Sequence, residues 1–441
     1  MSEIPRLRRR IAGAFIARQA ELGLQSVPEP RKPRGLRCKS LPSLLRMCVL
    51  ALMAGCKGFR QLESLSAEMS VAWRRRLKIR RRLPDTTMRT TICKLEPEPL
   101  RDCLRAQVKA AQRRQALAPA WGLPFGAVSI DGKHTTIGAW DELYAQKQEH
   151  SSAVGVSGVV RTMTCCLISS RAKVCIDASP IPSARSEMAH SPNVLQELNG
   201  AYGALNLFRV VTSDAGVTSE ANARLTVKQY RKDYLFRLNA KQPTLYRDAR
   251  KLLGRRRPEQ AEATTVDIRG SVQVTRWLYL TSELGGYLGW DQLQTVLRVQ
   301  VEKMDLRTGE ILELKEEERE RYYLSSLKRE ALSAEQWLEL VRGHWGVENN
   351  NHCIWDKTFR EDEHPWIVED KHGDAPKAAV VLMLLRRMAD NMLSLYRAVT
   401  QRCADKRETP WKDLMRWVYN MRIAATNKDL QGLRARAGRV A

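Results

Sequence analysis

The sequence predicts a mixed α/β protein in which a basic helical region precedes a sheet-containing core, and a β-rich segment interrupts that core. Apolar residues recur at helical spacing from Leu41 to about Gln115. Residues 127–238 follow the order strand, strand, strand, helix, strand, helix, strand. From residue 240 to 328 the pattern becomes β-like with Gly-containing turns, and helical spacing returns after Ser333.

The composition favours nucleic acid as the partner. The chain has 441 residues, enough for about two to four domains. Its 74 Lys and Arg outnumber its 49 Asp and Glu, which gives a formal net charge of +25. Residues 1–120 carry a net charge of +18 and residues 373–441 one of +8, whereas residues 121–372 carry −1. The positive charge, which favours a polyanionic partner, is therefore concentrated in two basic ends that flank a nearly neutral centre.

Membrane insertion and secretion are not expected. No apolar run reaches the roughly 18 residues that a spanning helix needs, and the basic start M-S-E-I-P-R-L-R-R-R lacks an adjacent apolar segment. The ten cysteines are scattered without a C-x-x-C pair, which predicts reduced and mostly buried thiols. We therefore expect a cytoplasmic, nucleoid-associated protein with no membrane partner.

Residues 1–35 are rich in Arg and Pro and are interpreted as a mobile or docking arm. Residues 36–120 are predicted to form a helical DNA-binding domain. Its helices are expected from Leu41, over Arg60–Ser70, over Thr87–Lys94 after a cap at Asp85 and Thr86, and over Pro99–Gln115.

A basic block, W-R-R-R-L-K-I-R-R-R-L-P, runs from Trp73 to Pro84 within this domain. Its charge clustering favours phosphate contacts, which are independent of DNA sequence and sensitive to salt. A solvated helix face is the alternative. The candidate DNA-binding residues of the block are Arg74, Arg75, Arg76, Lys78, Arg80, Arg81 and Arg82.

The predicted core comprises residues 121–240 and 329–400, the β-rich insertion residues 241–328, and a basic tail residues 401–441. Core strands are expected at Ala127–Ile130, Arg161–Ser169, Lys173–Ala178, Phe208–Thr212 and Asp233–Leu238, with helices at Met188–Tyr202 and Ser219–Arg231. Insertion strands are expected within Val266–Thr281, Thr295–Lys303 and Ile311–Leu327. Long helices follow at Ser333–Lys357 and Ala378–Val399.

Three acidic residues stand out by their context. Asp131 in V-S-I-D-G-K and Asp214 in R-V-V-T-S-D-A-G each follow a short strand, where ligands collect in open α/β sheets. Two such carboxylates would repel each other unless a hard divalent cation lay between them. Glu348 lies in a predicted helix. If that helix packs against the strand ends, the Glu348 carboxylate would complete a two-metal site. Taken singly, each is as readily a turn residue, a helix cap or a surface carboxylate.

His344, Glu348 and His352 are spaced i, i+4 and i+8, so a regular helix would present them on one face. This pattern leaves a zinc hydrolase open as an alternative. The spacing differs from H-E-x-x-H, however, and no further ligand stands out in the sequence.

Several strings together carry a family resemblance. They are S-I-D-G-K at Asp131, V-T-S-D-A at Asp214, L-P-D-T-T at Leu83 and R-Y-Y-L-S-S-L at Arg321–Leu327. Near the end of the core, R-x-H-W-x-[IV]-E-N-x-x-H is followed by D-x-x-F-x-E-D. The matching positions are Arg342, His344, Trp345, Val347, Glu348, Asn349, His352, Asp356, Phe359, Glu361 and Asp362. From about Leu41 to Leu395 the chain resembles the DDE transposases of bacterial insertion sequences, in the superfamily named after insertion sequence four.

The resemblance implies a ribonuclease-H-like catalytic core with a β-rich insertion. It implies Asp131, Asp214 and Glu348 as the catalytic and metal-binding triad for two Mg²⁺ ions, with Mn²⁺ as a substitute. The implied activity is metal-dependent cleavage of double-stranded DNA at inverted-repeat ends, followed by strand transfer into target DNA. A homodimer on paired ends is expected. The alternative is a degenerate or domesticated DNA-binding protein without nuclease activity.

The chain departs from the family pattern at several positions. H-T-T-I-G follows D-G-K, Cys353 stands where Trp is more usual, and Trp355 stands where Leu is. These departures affect the expected contacts to DNA ends more than the triad.

Four further residues have two interpretations each. Lys133 and Arg342 are candidates for phosphate contact or for support of the carboxylates, against simple surface charge. His344 is a candidate for phosphate contact or for support of Glu348, against helix packing; His352 is weighed in the same way. Trp290, in the insertion, suits either a stacked flipped base or, more readily, a core position.

Overall fold

The structure is a computed structural model. It describes residue 11 and residues 13–32, 39–79, 81–149, 156–287, 289–367, 374–400 and 408–424. Within those residues, no helix is both long enough and apolar enough to cross a membrane. None of the eight cysteines in these ranges forms a disulfide, and all but Cys353 are buried.

The N-terminal region is helical, as the sequence predicts. Its helices are α1 (Leu41–Met53), α2 (Phe59–Glu68), α3 (Val71–Arg76), α4 (Asp85–Cys93) and α5 (Pro97–Arg113). Ser70 caps α3 by accepting a hydrogen bond from the Trp73 backbone amide, and a proline stands in the first turn of both α1 and α5. A helical segment at 13–18 and a 3₁₀ turn at Gln19–Leu22 precede them.

Within the described ranges, ten strands form one sheet. They are β1 (Ala127–Ile137), β2 (Ala145–Glu149), β3 (Val156–Leu167), β4 (Cys175–Pro180), β5 (Val210–Ser213), β6 (Asp233–Leu238), β7 (Ala263–Arg269), β8 (Val272–Thr281), β9 (Thr295–Asp305) and β10 (Glu320–Ser325). The order along the sheet is β2-β3-β1-β5-β6-β10-β9-β8-β7, and β4 pairs with β3 beside β2.

Strand directions divide the sheet into two parts. β1 is antiparallel to β3 and β3 to β4, whereas β1, β5 and β6 are mutually parallel. From β6 onwards, β10, β9, β8 and β7 continue the sheet in antiparallel pairs. The β-rich insertion is therefore continuous with the core sheet, because β10 pairs with β6 on one side and with β9 on the other.

The described part of the chain has eight further helices after β4, some of which carry the later part of the site. They are α6 (Glu187–Tyr202), α7 (Glu220–Arg224), α8 (Pro243–Leu253), α9 (Glu316–Arg319), α10 (Ala334–Gly346), α11 (Cys353–Lys357), α12 (Ala375–Leu395) and α13 (Trp411–Ala424). π-helical turns extend α7 over Leu225–Gln229 and α12 over Tyr396–Thr400, and another joins α10 to α11 over Val347–His352. Single 3₁₀ turns lie at Gly203–Leu205, Pro258–Gln260 and Arg329–Ala331.

Helix α12 joins the N-terminal helices to the core. It packs against α1 and α5 on one side and against β3 and β4 on the other. Its buried polar residues have partners: Arg387 pairs with Glu361 at 2.6 Å, and Asp390 accepts a hydrogen bond from Trp355 Nε1. Buried charges persist only when they are paired, so these contacts fix α12 against α11 and the segment that follows it.

Two buried ion pairs link α5 to the sheet. Arg101 contacts Asp177 of β4 at 3.0 Å, and Arg105 contacts the same carboxylate at 2.7 Å. Arg101 and Asp177 are almost fully buried.

Several sequence-based boundaries were wrong. β1 continues to Ile137 because its pairing with β3 extends to Ile137 opposite Gly158, so Asp131 lies inside the strand and not beyond it. α4 begins at Asp85, whose carboxylate accepts a hydrogen bond from the Thr86 amide, and not at Thr87. β2 was not predicted, because A-Q-K-Q-E has one buried residue and four exposed ones.

The insertion and the tail also differ from expectation. Helix α8 occupies the start of the segment predicted to be β-rich. Only Glu320–Ser325 of the segment Ile311–Leu327 is strand, because the preceding E-E-E-R forms a helical turn. Helix α13 lies in the predicted basic tail; residues 401–407 and 425–441 of that tail fall outside the described ranges.

Part of the predicted arm is folded. Ile11, Phe15 and Leu22 are buried, and the Phe15 ring lies 6.3 Å from the Trp73 ring, centroid to centroid. The rest of residues 1–35 lies partly outside the described ranges.

Candidate active site

Asp131 and Asp214 lie at the same end of two neighbouring parallel strands. Ser129 of β1 is in register with Thr212 of β5, and Ile130 with Ser213. Asp131 is the next residue in β1, and Asp214 is the residue that follows β5. The two carboxylates differ in exposure: the side chain of Asp131 is 20% exposed and that of Asp214 45%.

Glu348 lies in the π-helical turn that joins α10 to α11, and it is exposed. One residue anchors this turn to both strands. His344 Nδ1 lies 3.2 Å from Ser129 Oγ and 3.0 Å from Thr212 Oγ1. Those hydroxyls stand two residues before Asp131 and Asp214, respectively. Because burial lowers the pKa of His344 to about 4, the ring is neutral at pH 7.

The acidic groups act on one another electrostatically. Burial, followed by the charges of Glu348, Asp214 and Glu187 in that order, raises the pKa of the Asp131 carboxyl to about 7, against a smaller lowering by the Gly132 backbone amide. Burial and the Asp214 charge also raise the pKa of Glu348, whereas Arg321 and Arg237 lower it. Such repulsion is expected of carboxylates that face a common site.

A second histidine contacts Asp131. His352 Nδ1 lies 3.6 Å from Asp131 Oδ2, and its Nε2 lies 3.0 Å from Thr164 Oγ1. Burial, followed by the charges of Arg387 and Lys133, lowers the pKa of His352 to about 3. The ring is therefore neutral at pH 7 and does not neutralise Asp131. Thr164 also contacts the strand itself, with Oγ1 3.0 Å from the Asp131 carbonyl oxygen.

Two arginines flank an indole beside the carboxylates. The guanidinium carbons of Arg321 and Arg237 lie 3.8 Å and 5.0 Å from the centroid of the Trp345 ring. Arg237 Nη1 also donates to Asp214 Oδ1 at 3.3 Å. The Trp345 indole donates a hydrogen bond to the Tyr323 hydroxyl. Arg237 and Arg321 partly offset the negative charge of the carboxylates, and they lie at the end of the sheet where Asp131 and Asp214 lie.

Lys133 forms one cluster with Asp356 and Asp362, two acidic residues of the D-x-x-F-x-E-D string. Lys133 is 6% exposed, and its Nζ lies 2.7 Å from Asp356 and 3.1 Å from Asp362. These contacts favour support of the site over phosphate contact. Since Lys133 is two residues beyond Asp131, the cluster ties β1 to the segment that follows the Glu348 turn.

The other predicted DNA-contacting residues lie in two places. In the basic block, Arg75, Lys78, Arg81 and Arg82 are exposed, Arg74 and Arg76 are half-buried, and Arg80 is outside the described ranges. Arg342 pairs with Asp267 and Glu339 at 2.9 and 2.7 Å. His344 is buried against the strands and faces no open surface, whereas the basic block is accessible.

A cleft of 780 Å³ opens beside Glu348, between α10 and the insertion strands β8 and β9. Six basic and three acidic side chains line it. They are Lys173, Arg269, Arg276, Lys303, Arg321 and Arg342, with Glu318, Glu339 and Glu348. With six positive and three negative side chains, the lining has an excess of positive charge that suits phosphate groups.

The oxygen and nitrogen donors at the site determine which metal ion it could hold. In their present rotamers, no three His, Cys, Asp or Glu side chains within the described residues are grouped closely enough to hold a metal ion. The carboxylates of Asp131, Asp214 and Glu348 nevertheless fit a hard divalent cation, because all three are oxygen donors and the Asp214 charge raises the pKa of both Asp131 and Glu348. Their side chains would have to converge on binding.

The zinc alternative has less support. The π-helical turn over Val347–His352 interrupts the regular helix on which the i, i+4, i+8 spacing of His344, Glu348 and His352 depends. The ring of His344 is directed at β1 and β5, and that of His352 at β3.

Trp290 is a core residue. It is 7% exposed, and its ring lies 6.5 Å from the Tyr234 ring, centroid to centroid. This burial favours the core interpretation over base stacking.

Sequence reasoning missed Glu187, Arg237 and Thr164. Glu187 has no distinctive local signal beyond its place after the capping residue Ser186. Arg237 lies in a correctly predicted strand, and the adjacency of that strand to β5 was the signal that would have drawn attention to it.

Comparison with models of known protein families gives no match, and neither does comparison with curated proteins. One solved structure with a matching chain is the piggyBac transposase synaptic complex with hairpin DNA, determined by cryo-EM. The TM-score is 0.41 and the sequence identity 12%, over 98% of this chain and 84% of that one. At this level of similarity, nothing about the chemistry of the present chain follows from the match.

Proposed function

We propose that this chain is a DNA transposase of an insertion sequence, which cleaves the ends of the element and transfers the freed strands to target DNA. The observation that carries the proposal is the register of β1 and β5 together with His344. That register puts Asp131 and Asp214 side by side, and His344 holds the Glu348 turn against both strands. The electrostatic coupling among the three carboxyls supports the same grouping.

The strand order supports a ribonuclease-H-like core. In the order β4-β3-β1-β5-β6, the first three strands are antiparallel neighbours and the last two are parallel to β1. The arrangement agrees with the core implied by the sequence resemblance. β7–β10 then extend this sheet as the insertion between β6 and the Glu348 turn.

Each residue has a role in this proposal. Asp131, Asp214 and Glu348 would hold Mg²⁺ ions, which when bound supply activation of a water or 3′-hydroxyl and stabilisation of the leaving oxygen. Arg237 and Arg321 lie where they would contact a phosphate beside these carboxylates. Lys133 and His344 act as positioning residues, since their contacts are to the protein.

DNA would contact two basic surfaces. The exposed arginines of the basic block suit the phosphates of the DNA duplex. The cleft beside Glu348 suits the DNA segment that would be cleaved. Because an element has two ends to be processed together, we propose that a homodimer acts on paired ends.

The proposal is tested with purified protein and a supercoiled plasmid that carries this gene with its native flanks. We expect Mg²⁺-dependent breaks at the flanking inverted ends, and none in the presence of chelator. Asp131→Asn, Asp214→Asn and Glu348→Gln should each reduce cleavage at least about 100-fold, since each removes a group that acts on the reacting phosphate. Salt-sensitive DNA binding should remain.

Asp233→Asn is the matched control. The Asp233 side chain is 20% exposed, as Asp131 is, but it pairs with Arg209 at the opposite end of its strand. This variant should cleave like the wild type. DNA binding without breaks in Mg²⁺ or Mn²⁺ would instead establish a DNA-binding protein without nuclease activity.

A further inference from the structure

Glu187 is the first residue of α6, after the capping serine Ser186. Its side chain is 29% exposed, whereas its neighbours Ser186, Met188 and Ala189 are exposed. The side chain therefore turns towards the sheet. A glutamate that served only the positive end of the helix dipole would have no need to do so.

The Glu187 carboxylate lies beside both catalytic aspartates. A Cβ at Gly132, the residue after Asp131, would overlap this carboxylate. A Cβ at Gly216, two residues after Asp214, would lie 3.8 Å from Glu187 Oε2. The two glycines thus leave a space next to each aspartate, and the Glu187 carboxylate reaches it from α6.

The surroundings of Glu187 do not neutralise it. Its described polar contact is with His134, whose Nε2 donates to Oε1 at 3.2 Å, and His134 is largely exposed. No arginine or lysine pairs with Glu187 among the described residues. An unneutralised carboxylate here increases the negative charge around Asp131, which is unfavourable unless a cation is bound there.

We infer that Glu187 is a fourth acidic ligand of the active site, which holds one of the two divalent cations together with Asp131. This inference rests on the proposed function and adds a residue to that site. Asp131 then lies between two groups of donors, with Glu187 on the α6 side and Asp214 and Glu348 on the other.

Glu220 provides a matched control. It too is the first residue of a helix after a capping serine, Ser219, and its side chain is 28% exposed. It pairs with Arg224 at 2.7 Å and does not contact the aspartates.

The test measures binding of Mn²⁺ alone to the metal-free full-length chain, by the loss of the free-ion signal in electron paramagnetic resonance. We expect about two ions per wild-type and Glu220→Gln chain. Glu187→Gln should keep one ion and bind the other at least about tenfold more weakly. Thermal unfolding in chelator verifies that each variant is folded.

Gly132→Ala is a second variant, because it displaces the Glu187 carboxylate without removing any charge. Gly132→Ala should also weaken the binding of one of the two Mn²⁺ ions. Wild-type binding by Glu187→Gln, alongside a loss in Asp131→Asn, would overturn the role of Glu187 and leave the proposed function intact. A wild-type chain that binds no Mn²⁺ would overturn both.

Discussion

At the scale of single residues, Asp131 is the most perturbed acid of the site. Its pKa of about 7 lies above the value of ~3.9 for an unfolded chain, so the folded state binds more protons between these two values. The free energy of unfolding therefore decreases as the pH rises from about 4 to about 7. The repulsion is fully present only above the folded pKa.

Asp131→Asn should consequently stabilise the chain at pH 8 and have little effect at pH 4. We expect a gain on the order of 2 kcal/mol at pH 8, after allowance for partial exposure to solvent. The measurement is urea unfolding at both pH values in the presence of chelator, with Asp233→Asn as the control. An equal difference at the two pH values would contradict the assignment of the shift to Asp131.

The sequence identified Asp131 and Asp214 because each follows a short apolar run that local pattern predicts to be a strand, although β1 continues past Asp131 to Ile137. Asp214 directly follows β5, as predicted. Glu187 was not identified, since its relation to Asp131 depends on how the start of α6 approaches β1 over more than 50 residues of chain. Arg237 depends in the same way on the pairing of β5 with β6.

At the scale of elements, His344 determines where the Glu348 turn lies. His344→Phe preserves much of the ring volume but leaves the hydroxyls of Ser129 and Thr212 without this partner. We expect a loss of about 1–3 kcal/mol in stability, measured by urea unfolding. Strand cleavage should fall about 100-fold, because a small displacement of a catalytic group has that effect.

His190→Phe is the control for this prediction. His190 is 5% exposed and contacts Ser179 Oγ at 2.9 Å, so it too loses a buried hydrogen bond. It should be destabilised similarly and yet retain cleavage. Equal loss of cleavage in both variants would show that stability alone accounts for the effect.

Most helices and core strands were predictable from the sequence, because their apolar spacing is regular. β6 was predicted at its observed bounds, Asp233–Leu238. The π-helical turn at Val347–His352 was not predictable, since the same residues fit a regular helix until the contacts of His344 and His352 are known. The edge strand β2 lacked the alternation that marks a half-buried strand.

At the scale of the whole molecule, the basic block predicts a salt dependence of DNA binding. Each phosphate contact contributes about −0.9 to the slope of log K against log salt concentration. Arg75→Ala combined with Arg81→Ala should make that slope shallower by about 2, since both side chains are exposed. The measurement is fluorescence anisotropy with a DNA duplex at several salt concentrations.

Arg255→Ala combined with Arg257→Ala serves as the control, because both residues are exposed on the insertion after α8. It removes the same charge and should leave the slope unchanged. An equal change in both double variants would assign the effect to net charge and not to the block.

The position of β10 has a consequence for how such chains can vary. β10 pairs directly with β6 and leads through a short turn into α10, so the Glu348 turn is held by the core sheet. β9, β8 and β7 follow β10 in that order towards the edge of the sheet, away from β6. The entropic cost of closing the chain segment between β6 and β10 changes only slowly with the length of that segment. Strands can therefore be gained or lost at the β7 edge over generations while Asp131, Asp214 and Glu348 stay where they are.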